Sequence, residues 1–188
     1  MRLKIRNLNR IINEYLTDSE LSLYIYIVQH ADLKAILMNL KMREATATCD
    51  FCKQTFYNTL YSLQKKGYLM IQKNREVDYD ILLIDNQFKN EKDTTDPYMN
   101  LNFDFLEAKE FYNLPKNTKR ILLRLMSMKD KRMKMTKDTL KTYKIFYELD
   151  QLKKYITITQ KANGTYILSL NYKYRNKNKN LFFNINIL

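Results

Sequence analysis

The residues best suited to chemistry in this chain are amides, lysines and tyrosines set along one short stretch. Lys53, Gln54, Tyr57, Asn58, Tyr61, Lys65 and Lys66 interleave with Phe56, Leu60 and Leu63. The three apolar residues fall at i, i+4 and i+7, the spacing of one buried helix face, so the polar set is expected on the opposite side. A primary amide offers a donor and an acceptor side by side, which matches the major-groove edge of adenine, and lysine suits guanine or a phosphate. Lys73 and Arg75 follow on the next segment and extend the cationic series.

A second cationic set is denser. Lys137, Lys141, Lys144, Lys153, Lys154 and Lys161 follow Lys129, Lys131, Arg132 and Lys134. Residues 1–100 carry 14 Lys/Arg against 13 Asp/Glu, a net of +1, whereas residues 101–188 carry 19 against 7, a net of +12. Charge concentrated in this way repels itself unless a polyanion is near, so the second half is expected to meet phosphates. A membrane surface is the rival polyanion. No apolar run approaches the roughly 18 residues a span needs. The longest, Leu21 to Val28, is interrupted by Ser22, Tyr24 and Tyr26. A cytoplasmic protein without membrane contact is expected.

Enzyme and metal chemistry find little to work with. The chain has one histidine, His30, and two glycines, Gly67 and Gly164, too few for a phosphate-cradling loop. Cys49-x-x-Cys52 has no second pair to complete a four-ligand zinc site, and it falls in a helical stretch, where a thioredoxin-like motif would need a βαβ context. Both cysteines are read as structural thiols. Asp78 and Asp80 share one face of a strand, which a solvated hairpin would explain. No catalytic residue, metal or cofactor is expected.

The elements that must position these residues can be read in turn. Thr17 and Glu20 have capping-box spacing, with Leu16 and Leu21 placed as a hydrophobic staple, so a helix is expected to about His30. Leu33, Ile36, Leu37 and Leu40 suggest a second helix over 33–42. A short helix to Cys49, a turn at Asp50 and a helix from Lys53 to Lys66 follow, with Gly67 at the left-handed cap. Residues 68–72 and 77–84 read as strands joined at 74–76. Polar residues 86–98, with Pro97, read as a linker. Met99, Leu101, Phe103 and Phe105 alternate as a strand would, and Pro115 and Asn117 mark another helix start. Strands at 155–160 and 165–171 flank Asn163-Gly164, a favoured hairpin turn. Few Gly and Pro with many Lys, Asn, Ile, Tyr and Phe suggest an A/T-rich bacterial, plasmid or phage genome.

On Glu44 through Lys66 and the strand pair after Gly67, residues 17–85 resemble the winged helix-turn-helix superfamily of DNA-binding proteins. The resemblance extends over 99–171 when Phe56–Leu63 is set against Ile145–Leu152, and Lys65–Ile71 against Lys153–Ile158. It implies an α+β chain of tandem winged helix-turn-helix domains: 1–85, a linker at 86–98, a strongly basic second domain at 99–171, and a basic tail with a terminal strand at 172–188. In that family the third helix enters the major groove and the wing meets the backbone. The resemblance implies double-stranded DNA as partner, with the first unit reading bases and the second clamping phosphates. Many bacterial members regulate transcription. The tandem arrangement also looks like plasmid replication initiators, and replication initiation or DNA segregation is the alternative use. An RNA-binding or protein-interaction module is the alternative of another class. A homodimer would read a palindromic site, a tandem monomer an asymmetric one.

Overall fold

The computed structural model describes residues 2–14, 16–74, 78–90, 92–93, 95–100, 109–128 and 130–171. The chain is α+β, with small antiparallel sheets, and divides into two compact units whose boundary falls between Asn113 and Leu114.

In the first unit, helix α2 (Asp18–His30) is the central element. Its capping box forms as the spacing requires: Thr17 Oγ1 accepts from Glu20 N (3.2 Å), and Glu20 Oε2 accepts from Thr17 N (2.6 Å). Every residue from Glu20 to Gln29 is buried, which is the condition of a helix surrounded by partners. Around it run α1 (Ile5–Asn13), β2 (Ile36–Lys41), α3 (Met42–Cys49), α4 (Lys53–Lys65), β3 (Leu69–Asn74) and β4 (Asp78–Leu83). The three strands form one antiparallel sheet in the order β2-β4-β3. Strand β1 (Arg2–Lys4) pairs with β5 (Tyr98–Asn100), and a short α5 (Lys109–Tyr112) closes the unit.

The second unit repeats the same order with shorter parts. Helix α6 (Lys116–Ser127) is followed by β6 (Arg132–Thr136) and α7 (Lys137–Thr142). A 3-10 turn (Ile145–Glu148) runs into α8 (Leu149–Leu152), and β7 (Ile156–Gln160) and β8 (Thr165–Leu170) form the closing hairpin. Its sheet has the order β6-β8-β7, the same first-third-second arrangement.

The repetition reaches single backbone bonds. Ala35 and Lys131 each precede the first strand in the left-handed region (φ 64° and 51°). Each accepts from the end of the last strand, Leu83 N to Ala35 O (2.8 Å) and Leu170 N to Lys131 O (3.0 Å). One residue on, Ile84 N donates to Tyr68 O (3.1 Å) and Asn171 N to Tyr155 O (2.9 Å). Tyr68 and Tyr155 are both buried just before the second strand.

Three expectations need correction or relocation. Residues 33–42 are not a helix. Asp32 Oδ1 accepts from Ile36 N, Ala35 turns left-handed, and Ile36–Lys41 pairs with β4. A bulge between Leu37 and Leu40, with Asn39 at φ 55°, absorbs one residue. Leu37 and Leu40 therefore both face inward three positions apart, and this is the spacing that imitated a helix. Asp80 is not on a solvated face: it is buried, and its carboxylate accepts from the bulged Asn39 N (3.0 Å). Residues 86–98 are not a free linker where described. Asn86 Oδ1 accepts from Lys4 N, Asn86 Nδ2 donates to Arg2 O, Ile5 N donates to Pro97 O, and Lys4 Nζ pairs with Asp96 (2.7 Å). Most of the turn expected at 74–76, most of the strand after Met99 and the tail at 172–188 lie outside the described residues; Asn74 itself ends β3.

Candidate nucleic-acid interface

Helix α4 is formed as the apolar spacing requires: Phe56, Leu60 and Leu63 are wholly buried, joined by Thr59. Asp50, left-handed at φ 57°, closes the turn from α3 and sends the chain back into α4. Lys53, Gln54, Asn58, Tyr61, Lys65 and Lys66 are exposed and Tyr57 is half-buried. Gln54 Nε2 donates to Asn58 Oδ1 (2.9 Å), one turn along the helix. The pair keeps Gln54 Oε1 as a free acceptor and the Asn58 amide nitrogen as a free donor, the two functions a base edge requires.

Three tyrosines tie this helix to the hairpin. Tyr79, at the start of β4, lies beside Tyr57 (ring centroids 6.3 Å) and Phe56 (6.1 Å). Its hydroxyl is pushed up to about 12, first by burial and then by the neighbouring Tyr57 and Tyr61 phenols, which hydrogen-bond with it. The Lys53 ammonium stands 5.9 Å from the Tyr57 ring centroid.

The other end of α4 is anchored by charge. Lys66 Nζ donates to both oxygens of Glu20 (2.7 Å each), and Ser62 Oγ donates to the same carboxylate (2.6 Å). Glu20 is almost wholly buried, and although burial raises its pKa, Lys66, Ser62 and the Thr17 amide together hold it below the ordinary carboxylate value. Lys66 is thus engaged in neutralising a buried acid, a use different from the phosphate contact expected of it. Arg10 donates to Lys66 O (2.6 Å) and Gly67 O (3.0 Å), occupying carbonyls the helix end leaves open, and lies 4.1 Å over Tyr68. Its guanidinium is paired with Glu14 (2.8 Å), whose other oxygen accepts from the Tyr68 hydroxyl. Of the hairpin cations, Lys73 lies on β3 opposite Asp80, and Arg75 is outside the described residues.

In the second unit Lys137, Lys141, Lys144, Lys153, Lys154 and Lys161 are all exposed. Lys137 is at the start of α7, and Lys144 is left-handed (φ 57°) at the turn before the 3-10 segment. Lys153 pairs with Asp150 (2.6 Å), Lys154 lies 5.8 Å from the Tyr155 ring, and Lys161 opens the hairpin loop that Gly164 (φ 75°) closes. Residues 114–171 hold 14 Lys/Arg against 4 Asp/Glu, a net of +10, whereas residues 1–113 hold 15 against 16, a net of −1. The boundary of the units therefore coincides with the boundary of the charge.

Cys49 is buried and Cys52 exposed at the N-cap of α4, where the Thr55 hydroxyl (3.3 Å) and the helix-start amides lower its pKa. Among the described residues no three His, Cys, Asp or Glu side chains are placed to hold a metal ion, and no helix is long and apolar enough to cross a membrane. His30 packs on Tyr26 (4.2 Å), with Nδ1 2.8 Å from Tyr26 O.

Sequence reasoning did not single out Arg10, Glu20 or Tyr79 as supports of α4, because their partners are tens of residues away. It also passed over Tyr143 and Tyr147, which are exposed among the lysines of the second unit. Setting Ile145–Leu152 against Phe56–Leu63 places Tyr147 opposite Asn58, a signal that was present in the sequence. No family model matches the chain, and neither a curated protein nor a solved structure matches it.

Proposed function

We propose that this protein is a sequence-specific, non-enzymatic binder of double-stranded DNA built from two winged helix-turn-helix units. The observation that carries the reading is the repeated order of helix, strand, helix, helix and hairpin, with the same first-third-second sheet and the same pair of closing backbone bonds. The family with this arrangement presents the helix before the hairpin to the major groove. Here that helix is α4, whose exposed side carries Gln54, Asn58, Lys53 and Lys65. The second unit supplies the phosphate attraction that the near-neutral first unit lacks. Transcriptional regulation is the use we propose for such binding in a bacterial cytoplasm; initiation of replication at a plasmid or phage origin is the second reading, favoured by the separation of a reading unit from a strongly basic one.

Selection of bound duplexes from a random pool tests the proposal. Enrichment of a short motif is expected, together with an affinity for random duplex that falls steeply with salt. A chain that enriches nothing and ignores duplex DNA at low salt would overturn the reading in favour of an RNA- or protein-binding role.

A further inference from the structure

The second unit departs from the first where base reading would occur. With Ile145 and Leu152 set against Phe56 and Leu63, all four buried, Tyr147 takes the position of Asn58. Tyr147 is 81% exposed, the most exposed large apolar group among the described residues, and Tyr143, four residues earlier and before left-handed Lys144, is 54% exposed. A phenol cannot make the two parallel bonds by which an amide reads adenine. Its ring faces can take a stacked base of any kind, and an exposed ring leaves those faces in water until one does.

The segment is also a poor groove reader. Four residues of 3-10 turn and four of α-helix, broken from α7 by left-handed Lys144, span on the order of 14 Å, against about 20 Å for α4. Phe146 sets Tyr147 edge to face (5.9 Å, 90°), and Lys137 Nζ lies 5.6 Å from the Phe146 ring. Lys141, on α7, and Lys144, at the turn before the 3-10 segment, are exposed. Of the nearby acids, Glu148 accepts from Thr118 Oγ1 (2.5 Å) and Asp150 from Lys153 (2.6 Å), which leaves Asp138, exposed beside Lys137, as one acid against three lysines. Exposed aromatic rings interleaved with an excess of exposed lysines are what an unpaired strand needs: faces for bases and cations for its backbone.

We infer that the second unit holds a site for single-stranded DNA, in which Tyr147 and Tyr143 stack on unpaired bases and Lys137, Lys141 and Lys144 meet the phosphates. The inference does not rest on α4 reading a duplex; a protein with both activities would read duplex bases through α4 and stack opened bases on the second unit, whose lysines would serve the phosphates of either form.

The test titrates the full chain against labelled oligo-dT, oligo-rU of equal length and a random blunt duplex, each across salt. Tyr147→Ala is expected to weaken oligo-dT binding about tenfold at every salt concentration without changing the salt slope, since stacking releases no counterions. Tyr147→Phe should retain wild-type affinity, and both variants should bind the duplex within about twofold of wild type. Lys141→Ala should instead reduce the oligo-dT slope by about 0.7. Loss of oligo-dT and duplex binding in equal measure, or no change on either, would overturn the inference. So would a Tyr147→Ala variant altered only in self-association, or oligo-rU bound tenfold tighter than oligo-dT. A wild-type chain that binds duplex but not oligo-dT defeats this inference alone; one that binds oligo-dT but not duplex defeats the proposed function alone.

Discussion

The two units solve the same folding problem with different materials. In the first, the helix before the hairpin has 13 residues and is held at its end by two charge networks, Lys66 with Glu20 and Arg10 with Glu14 and two backbone carbonyls. In the second, the corresponding segment is a 3-10 turn and one turn of α-helix, and the lysines flanking it, Lys141, Lys144, Lys153 and Lys154, are exposed. Lys66 and Arg10 of the first unit position a helix, whereas Lys137, Lys141 and Lys144 of the second are exposed. The same residue type thus holds structure in one place and is left to solvent in the other, and charge count alone does not tell which. What separates them is whether a buried acid lies within reach, as Glu20 does for Lys66.

The largest effect should come from removing that acid. Glu20→Ala leaves the Lys66 ammonium and the Ser62 hydroxyl without their shared partner and abolishes half of the capping box. A loss of about 2–3 kcal/mol is expected in chemical denaturation. The same network makes the first unit the acid-sensitive one. Glu20 and Glu14 are held below their ordinary values in the folded state, Glu20 by Lys66, Ser62 and the Thr17 amide, and Glu14 by Tyr68 and Arg10, in each case against the effect of burial. Their contribution is full above the unfolded carboxylate value of about 4.3 and is lost as pH falls through the lower folded values. Hydrogen exchange should show protection of α4 fading below pH of about 4 while the 156–170 hairpin persists; simultaneous loss would erase the contrast between the units.

The next largest effect concerns reading. Asn58→Ala or Gln54→Ala should cost on the order of 1–3 kcal/mol on a selected duplex and little on random DNA. Lys141→Ala with Lys144→Ala should do the reverse, weakening all duplexes alike and reducing the salt slope by about 0.9 for each phosphate no longer neutralised. If the two sets of variants behave alike in titrations on both duplexes, the division of labour between the units is wrong.

Much of this comparison was legible in the sequence, and the illegible parts have physical reasons. Local signals were sound: Thr17 with Glu20 marked the start of α2, Phe56, Leu60 and Leu63 marked the buried side of α4, and Gly67 and Gly164 marked left-handed positions. Ala35 and Lys131 occupy the same left-handed region without being glycine, so nothing in their type announces the turn that starts each sheet. The bulge at Asn39 shifted β2 into a helical-looking spacing. Asn86 and Asp96 looked like linker residues because their partners, the Arg2 and Lys4 backbone and the Lys4 side chain, lie over 80 positions away. The lysines of α4 and of the second unit were legible as a set, but the diversion of Lys66 to Glu20 depends on a contact across 46 positions.

The smallest expected effect distinguishes the two units at a helix start. Thr136 caps α7, its hydroxyl accepting from Thr139 N (3.1 Å), whereas α4 begins at Cys52 with no side-chain cap bond. A thiol is a weak acceptor, and serine is among the preferred capping residues because its oxygen reaches the second or third amide of the helix. Cys52 is exposed, so the exchange disturbs no packing. Cys52→Ser should therefore leave the melting temperature unchanged or raise it, with a gain of about 0.5 kcal/mol at most, while Thr136→Ala should lose about 1 kcal/mol. Bound zinc, measured on the purified wild-type chain, should be absent at one ion per chain. A marked destabilisation by Cys52→Ser, or stoichiometric zinc that the variant loses, would mean that this thiol has a ligand shared between two chains, and the turn between α3 and α4 would then have to be read as a metal-linked interface.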